Sequence, residues 1–170
     1  MDGNVEERGR TVSVFNGPMP TIRVLDSLEE EAEAVGLWPQ SLREAGVMPH
    51  ETGIFVRSAA ELDRASSAIE NAGLPFKVLD ESLEMSGGHV SVGTMHLAKG
   101  LEFRAVVVMG CDDEVIPSQE RIETVSDEAD LAEVYDTERH LLYVACTRAR
   151  DRLLVSSGDV PSEFLEELRM

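Results

Sequence analysis

Strand-like and helix-like segments alternate along the chain, which predicts an α/β fold: a mostly parallel sheet with helices on both faces. Two details strengthen that expectation. The run AVVVM (residues 105–109) is apolar without interruption, as suits a central strand buried on both sides. Twice, a strand-like run is followed by Ser-x-x-Glu, a spacing that opens helices by capping the first free backbone N–H groups.

The elements follow in order. Residues 1–18 are polar and are expected to form a poorly ordered or extended lead-in to a single domain over residues 19–170. TIRVLD (residues 21–26) reads as a strand because it is rich in β-branched residues and free of Gly and Pro. Ser27 and Glu30 form a capping box, and the helix they open runs toward Ala45. Pro39 falls inside that helix and should end or kink it, since proline lacks the N–H and crowds the preceding turn. The unit then repeats: TGIFVR (residues 52–57) is a strand, Ser58 and Glu61 form a second box, and Leu62, Ala65 and Ile69 recur at helical spacing. Gly73 closes that helix, and PFKVLD (residues 75–80) is the next strand. HVSVGT (residues 89–94) and RAVVVMG (residues 104–110) are two more. A long helix from about Glu128 should reach the neighbourhood of Arg150, ahead of the strand RLLVSS (residues 152–157) and a short acidic helix, SEFLEEL (residues 162–168).

Composition excludes several classes. No apolar run is long enough to span a membrane, and the N-terminus lacks a signal-peptide core, so a cytoplasmic protein is expected. Cys111 and Cys146 sit in no C-x-x-C or Cys/His pattern and read as ordinary buried thiols. Lys and Arg number 15 against 33 Asp and Glu, a net charge of −18, which disfavours non-specific attraction to nucleic acid. The acid concentrates in residues 112–138, where Arg121 is the only basic residue; this run reads as a solvated loop and helix face.

Common catalytic patterns are missing too. Gly88 and Gly93 have the glycine spacing of a P-loop, but no Lys follows and the residues between read as a strand. His50, His89, His96 and His140 show no metal-ligand spacing, so no metal site is expected. There is no G-x-S-x-G nucleophile elbow.

Two segments remain. TMHLAKGLEF (residues 94–103) places an imidazole, an ammonium and a carboxylate between two buried strands. It leaves the carboxyl end of a strand, which is where open α/β sheets bind ligands. ERHLLYVACTRARDRLLV (residues 138–155) reads plainly as an apolar helix face ending in Arg148, Arg150 and Arg152 as surface charge.

Together these segments resemble motifs V and VI of the UvrD/Rep family, the superfamily 1 DNA helicases. The family patterns T-x-H-x-x-K-G-L-E-(F/W) and E-x-x-L-x-Y-V-x-x-T-R-A are matched by Thr94, His96, Lys99, Gly100, Leu101, Glu102 and Phe103, then by Glu138, Leu141, Tyr143, Val144, Thr147, Arg148 and Ala149. VIPSQ (residues 115–119) is similar to the proline-containing connection between them, and residues 51–80 resemble the strand-helix-strand that opens the second RecA-like domain.

The resemblance implies a RecA-like sheet of the P-loop NTPase type and a share in an ATP site. Arg148 would be the arginine finger on the γ-phosphate. Glu102 would hydrogen-bond the ribose, with Gly100 letting backbone approach the nucleotide. Thr94 and His96 would contact single-stranded DNA, and Lys99 and Tyr143 would belong to interdomain coupling. ATP with Mg2+ is the implied cofactor, the metal being held by a first RecA-like domain. The P-loop, the Mg-binding acidic motif and the Q-x-Y-R arginine are not in these residues and are expected upstream, so the chain alone should not hydrolyse ATP. Only about eight residues separate Asp80 from the motif V strand, too few for the accessory subdomain that UvrD and Rep insert there. Two rivals stand beside this reading: a non-catalytic RecA-like module binding a protein partner through residues 112–138, and a motor acting on RNA.

Overall fold

The computed structural model describes residues 18–82 and 87–169. The expected lead-in therefore lies outside the described residues, apart from Pro18. Strands β1 (Thr21–Val24), β2 (Thr52–Val56), β3 (Phe76–Val78), β4 (Val90–Thr94), β5 (Phe103–Val108) and β6 (Ala149–Ser157) form one sheet. Their order is β1-β6-β5-β2-β4-β3, and every pairing between them is parallel. With helices on both faces, this is a RecA-like α/β architecture.

Alternation along the central strands separates the two faces. Ile54, Val56, Val107 and Met109 join a core with Ala65, Ala68 and Ile69 of α2 (Leu62–Asn71) and Val35 of α1 (Leu28–Glu44). Phe55, Val106, Val108 and Val155 join the opposite core with Leu142 and Ala145 of α4 (Glu128–Cys146) and with Phe164 and Leu165 of the short α5 (Phe164–Leu168). A further short helix, α3 (Gln119–Glu123), lies in the connection between β5 and α4. On the first face, α1 and α2 meet closely: a Cβ on Gly36 would stand 2.7 Å from the Ala68 carbonyl oxygen.

Three local expectations are refined or corrected. First, α1 reaches Glu44 with Ala45 as its cap, as expected, and does not end at Pro39, which is buried with Val35, Gly36 and Leu42. The packing of that face outweighs the roughly 3 kcal/mol that an internal proline costs. Second, Ser27 caps α1 by accepting from the Glu30 N–H at 3.1 Å, but Ser58 makes no side-chain cap. A 3₁₀ turn (Ala59–Glu61) precedes α2, and the Glu61 carboxylate is taken by Arg64 at 3.1 Å. Third, α4 ends at Cys146, and β6 begins at Ala149, so Arg150 and Arg152 lie on a strand and not at a helix end. Pairing of Phe103 with Ala149 draws that segment into the sheet.

Candidate functional site

Register shows where the residues of 94–103 go. Thr94 aligns with Val56 at the exit of β2, whereas Ala105 aligns with Thr52 at its entry. The segment between them travels the length of the sheet, because a parallel partner must be re-entered at the edge where the strand began. The expectation that all of residues 94–103 face ligands at the carboxyl edge is therefore corrected. Thr94 and His96 lie toward the carboxyl edge, and Gly100 and Glu102 lie toward the amino edge.

Local structure sorts the side chains of this crossover. It begins with a 3₁₀ turn (Met95–Leu97), in which positions three apart share a side. Met95 and Ala98 are buried in the α4 core, which leaves His96 and Lys99 exposed. Thr94 is half-buried, and neither its hydroxyl nor the His96 ring has a hydrogen-bond partner among the described residues. Gly100 adopts φ +88°, a left-handed conformation that side chains disfavour, and faces open space.

At the amino edge, the ends of both motifs meet. The Phe103 N–H donates to the Arg148 carbonyl at 2.9 Å. The half-buried Arg148 guanidinium donates to the Val144 carbonyl at 3.2 Å, the Leu101 carbonyl at 3.4 Å and Thr147 Oγ1 at 3.1 Å. These acceptors are neutral, and no carboxylate among the described residues pairs with Arg148. The Glu102 side chain is 69% exposed, with Arg150 Nη1 3.9 Å from its Oε1.

The carboxyl edge is arranged in the opposite way. Arg57, directly after β2, forks onto Glu138 of α4 through Nε at 2.7 Å and Nη2 at 2.6 Å. Glu138 also accepts from the Ser118 N–H and Arg121 Nη1, each at 2.8 Å. Burial alone would raise this carboxyl, but the Arg57 fork, the Ser118 N–H and Arg121 outweigh it and hold Glu138 below the usual carboxylate range. Alongside, Arg64 of α2 pairs with Glu31 and, at 2.9 Å, with Asp112. Burial works against the Arg64 charge, and bonds to Asp112 and Glu31 more than offset it. Every guanidinium in this crevice is thus neutralised by the chain's own carboxylates. The two ends of the acidic run, Asp112 and Glu138, are buried in these networks, while most carboxylates between them are exposed.

Tyr143 and Arg139 are held within the domain: both donate to Glu167 Oε1 of α5 at 2.8 Å, and Arg139 lies 5.0 Å over the Phe164 ring. Burial and the Glu167 carboxylate push the Tyr143 phenol upward. Sequence reasoning missed Glu31, Arg57 and Arg64. Arg57 follows an apolar strand, which hints at burial, but Glu31 stands in a uniformly acidic helix start that gives it no distinguishing mark. Among the described residues, no group of three His, Cys, Asp or Glu side chains is placed to hold a metal, and no helix is long and apolar enough to cross a membrane.

Residues 79–159 match the family described as the UvrD-like helicase C-terminal domain. Those 81 of 170 residues are similar to that family. UvrD-like relatives agree: ATP-dependent DNA helicase UvrD1 of Mycobacterium leprae is 32% identical over 157 residues, covering 84% of this chain and 19% of the relative. A probable DNA helicase II homolog of Rickettsia conorii is 32% identical over 116 residues, covering 68% of this chain and 17% of the relative. The chain thus spans less than a fifth of these relatives. The fold is shared with the C-terminal domain of a possible DNA helicase from Lactobacillus plantarum, at a TM-score of 0.65 and 23% identity, covering 95% of this chain and 87% of that one.

Proposed function

We propose that this chain is the C-terminal RecA-like domain of an ATP-dependent DNA helicase or translocase, covering residues 19–170, and that it works only with a first RecA-like domain. The observation that carries this reading is the contrast between the two edges. Arg57 and Arg64 at the carboxyl edge are neutralised by internal carboxylates, whereas Arg148 at the amino edge is braced by neutral carbonyls with its charge unspent.

An ATP phosphate chain fits that edge. Five N–H donors belong to a guanidinium, and Arg148 commits three of them to the protein, leaving two to meet an oxyanion. Arg148 acts as the arginine finger, and its planar fork suits charge spread over phosphoryl oxygens. Glu102, exposed beside it, accepts from a ribose hydroxyl, and the open backbone at Gly100 admits the nucleotide. ATP with Mg2+ supplies the phosphoryl-transfer chemistry, and the metal belongs to the first domain; among the described residues of this chain no group of three His, Cys, Asp or Glu side chains is placed to hold one. At the carboxyl edge, the unpartnered Thr94 hydroxyl and His96 ring hold a phosphate of single-stranded DNA without reading sequence. Lys99 lies between the two edges and Tyr143 braces the helix leading to Arg148, which suits both to coupling. The exposed acid of residues 112–138 keeps DNA affinity low, so most grip comes from the partner domain.

The decisive experiment is ATP hydrolysis, with and without single-stranded DNA or RNA, by the longer protein carrying this domain and by its Arg148→Ala variant. DNA-stimulated turnover that falls at least about a hundredfold while ATP still binds supports the finger. An unchanged rate would make Arg148 a structural residue, and equal stimulation by RNA would favour an RNA motor.

A further inference from the structure

Glu31 is a first-turn residue of α1, yet its side chain is fully buried at the carboxyl edge of the sheet. Its Oε1 accepts from Arg64 Nε at 2.9 Å and also from Arg64 Nη2. Its Oε2 accepts from the Gly110 N–H at 2.9 Å and from Ser156 Oγ at 2.8 Å. A guanidinium fork, a backbone N–H and a hydroxyl, brought from α2, the exit of β5 and the end of β6, thus converge on one anion. That donor set is the chemistry with which proteins bind phosphate.

Its position strengthens the point. The chain leaves β2 toward β3 and β4 on one side, and leaves β5 toward β6 on the other. The carboxyl edge between β2 and β5 is therefore a topological switch point, where open α/β sheets take their ligands. Gly110 and Arg64 stand there. The space is tightly closed: a Cβ on Gly158 would lie 3.0 Å from Glu31 Oε1, and one on Gly110 would lie 3.4 Å from Arg64 Nη1.

We propose that the Glu31 carboxylate is a built-in anion that occupies an oxyanion cradle formed by Arg64, Gly110 and Ser156. It closes the switch-point crevice of this domain to phosphate-bearing ligands. A small carboxylate or phosphate will bind the cradle once the Glu31 side chain is removed. The inference stands apart from the nucleotide reading at the opposite edge.

The test uses this chain, its Glu31→Ala variant and its Glu31→Gln variant. Thermal unfolding is followed in sodium acetate, sodium phosphate and sodium chloride at matched ionic strength and fixed pH. Glu31→Ala should unfold at lower temperature than the parent, and acetate or phosphate should raise its midpoint while chloride does not. With a dissociation constant on the order of 10 mM, 100 mM acetate multiplies the folding equilibrium about tenfold. The parent, whose cradle is filled, should not distinguish the salts. Glu31→Gln keeps the shape but not the charge, and should be less stable than the parent. The proposal is overturned if Glu31→Ala responds alike to acetate, phosphate and chloride, or stays unfolded at every acetate concentration. It is equally overturned if Glu31→Gln matches the parent, or if the parent shows the same anion dependence as Glu31→Ala.

Discussion

The Phe103 N–H donates to the carbonyl of Arg148 at 2.9 Å, so the entry of β5 and the turn before β6 are joined through backbone. The Arg148 side chain is then free to serve another purpose. Its removal deletes hydrogen bonds to Val144, Leu101 and Thr147 but leaves this ladder intact. Arg148→Ala should therefore cost the isolated chain only about 1 kcal/mol in denaturant unfolding. A loss of several kcal/mol would show that the guanidinium holds the fold together and weaken its assignment to phosphate.

Arg57 and Glu138 behave differently, because neither charge can reach water when its partner is lost. Arg57→Leu should destabilise the chain by about 3–5 kcal/mol, measured by urea unfolding at neutral pH. Arg121 Nη1 and the Ser118 N–H would still reach Glu138, so the lower end of that range is expected.

The same carboxylate sets a pH dependence. The Glu138 carboxyl is held below its ordinary value in the folded chain. Its contribution to stability is complete above the unfolded carboxyl range near 4.3, and is lost as pH falls through the lower, folded value. Urea midpoints should fall on acidification below about pH 4.5, and more weakly in Glu138→Gln. Parallel curves for the two proteins would remove Glu138 from the explanation.

Both thiols are buried and unpaired, and burial pushes Cys111 well up and Cys146 up to about 12. Native protein at pH 8 should react with a thiol reagent only through opening of the fold, whereas the denatured chain should react at once at both positions. Rapid labelling of native protein would contradict this packing.

Gly36 tests the contact between α1 and α2. Alanine is ordinarily the better helix former, but here its Cβ would meet the Ala68 carbonyl oxygen at 2.7 Å. Gly36→Ala should lower stability by about 1–3 kcal/mol in thermal or urea unfolding. A stabilised variant would show that the helices separate without cost.

Much of the architecture was legible in the residues themselves. Alternating strand and helix signals, the buried run of residues 105–109 and the caps at Ser27 and Gly73 depend on near neighbours, which sequence displays. The two motifs were legible for the same reason: each is a continuous string. Local preference left open whether Pro39 ends its helix, which the buried face decided, and Ser58 was misread because Arg64 takes the Glu61 carboxylate. The early end of α4 likewise follows from pairing of Ala149 with Phe103, a residue far away in the chain.

Sequence by itself determined that this is an α/β chain carrying the TMHLAKGLEF and TRA segments, because local periodicity and short motifs require no knowledge of distant contacts. Only the tertiary structure decided which edge each half of residues 94–103 reaches, and which arginines keep their charge available. Arg57, Arg64 and Arg148 are alike as letters. Their surroundings separate them: buried carboxylates brought from α1 and α4 and from the loop after β5 neutralise the first two, and only main-chain carbonyls and a hydroxyl hold the third.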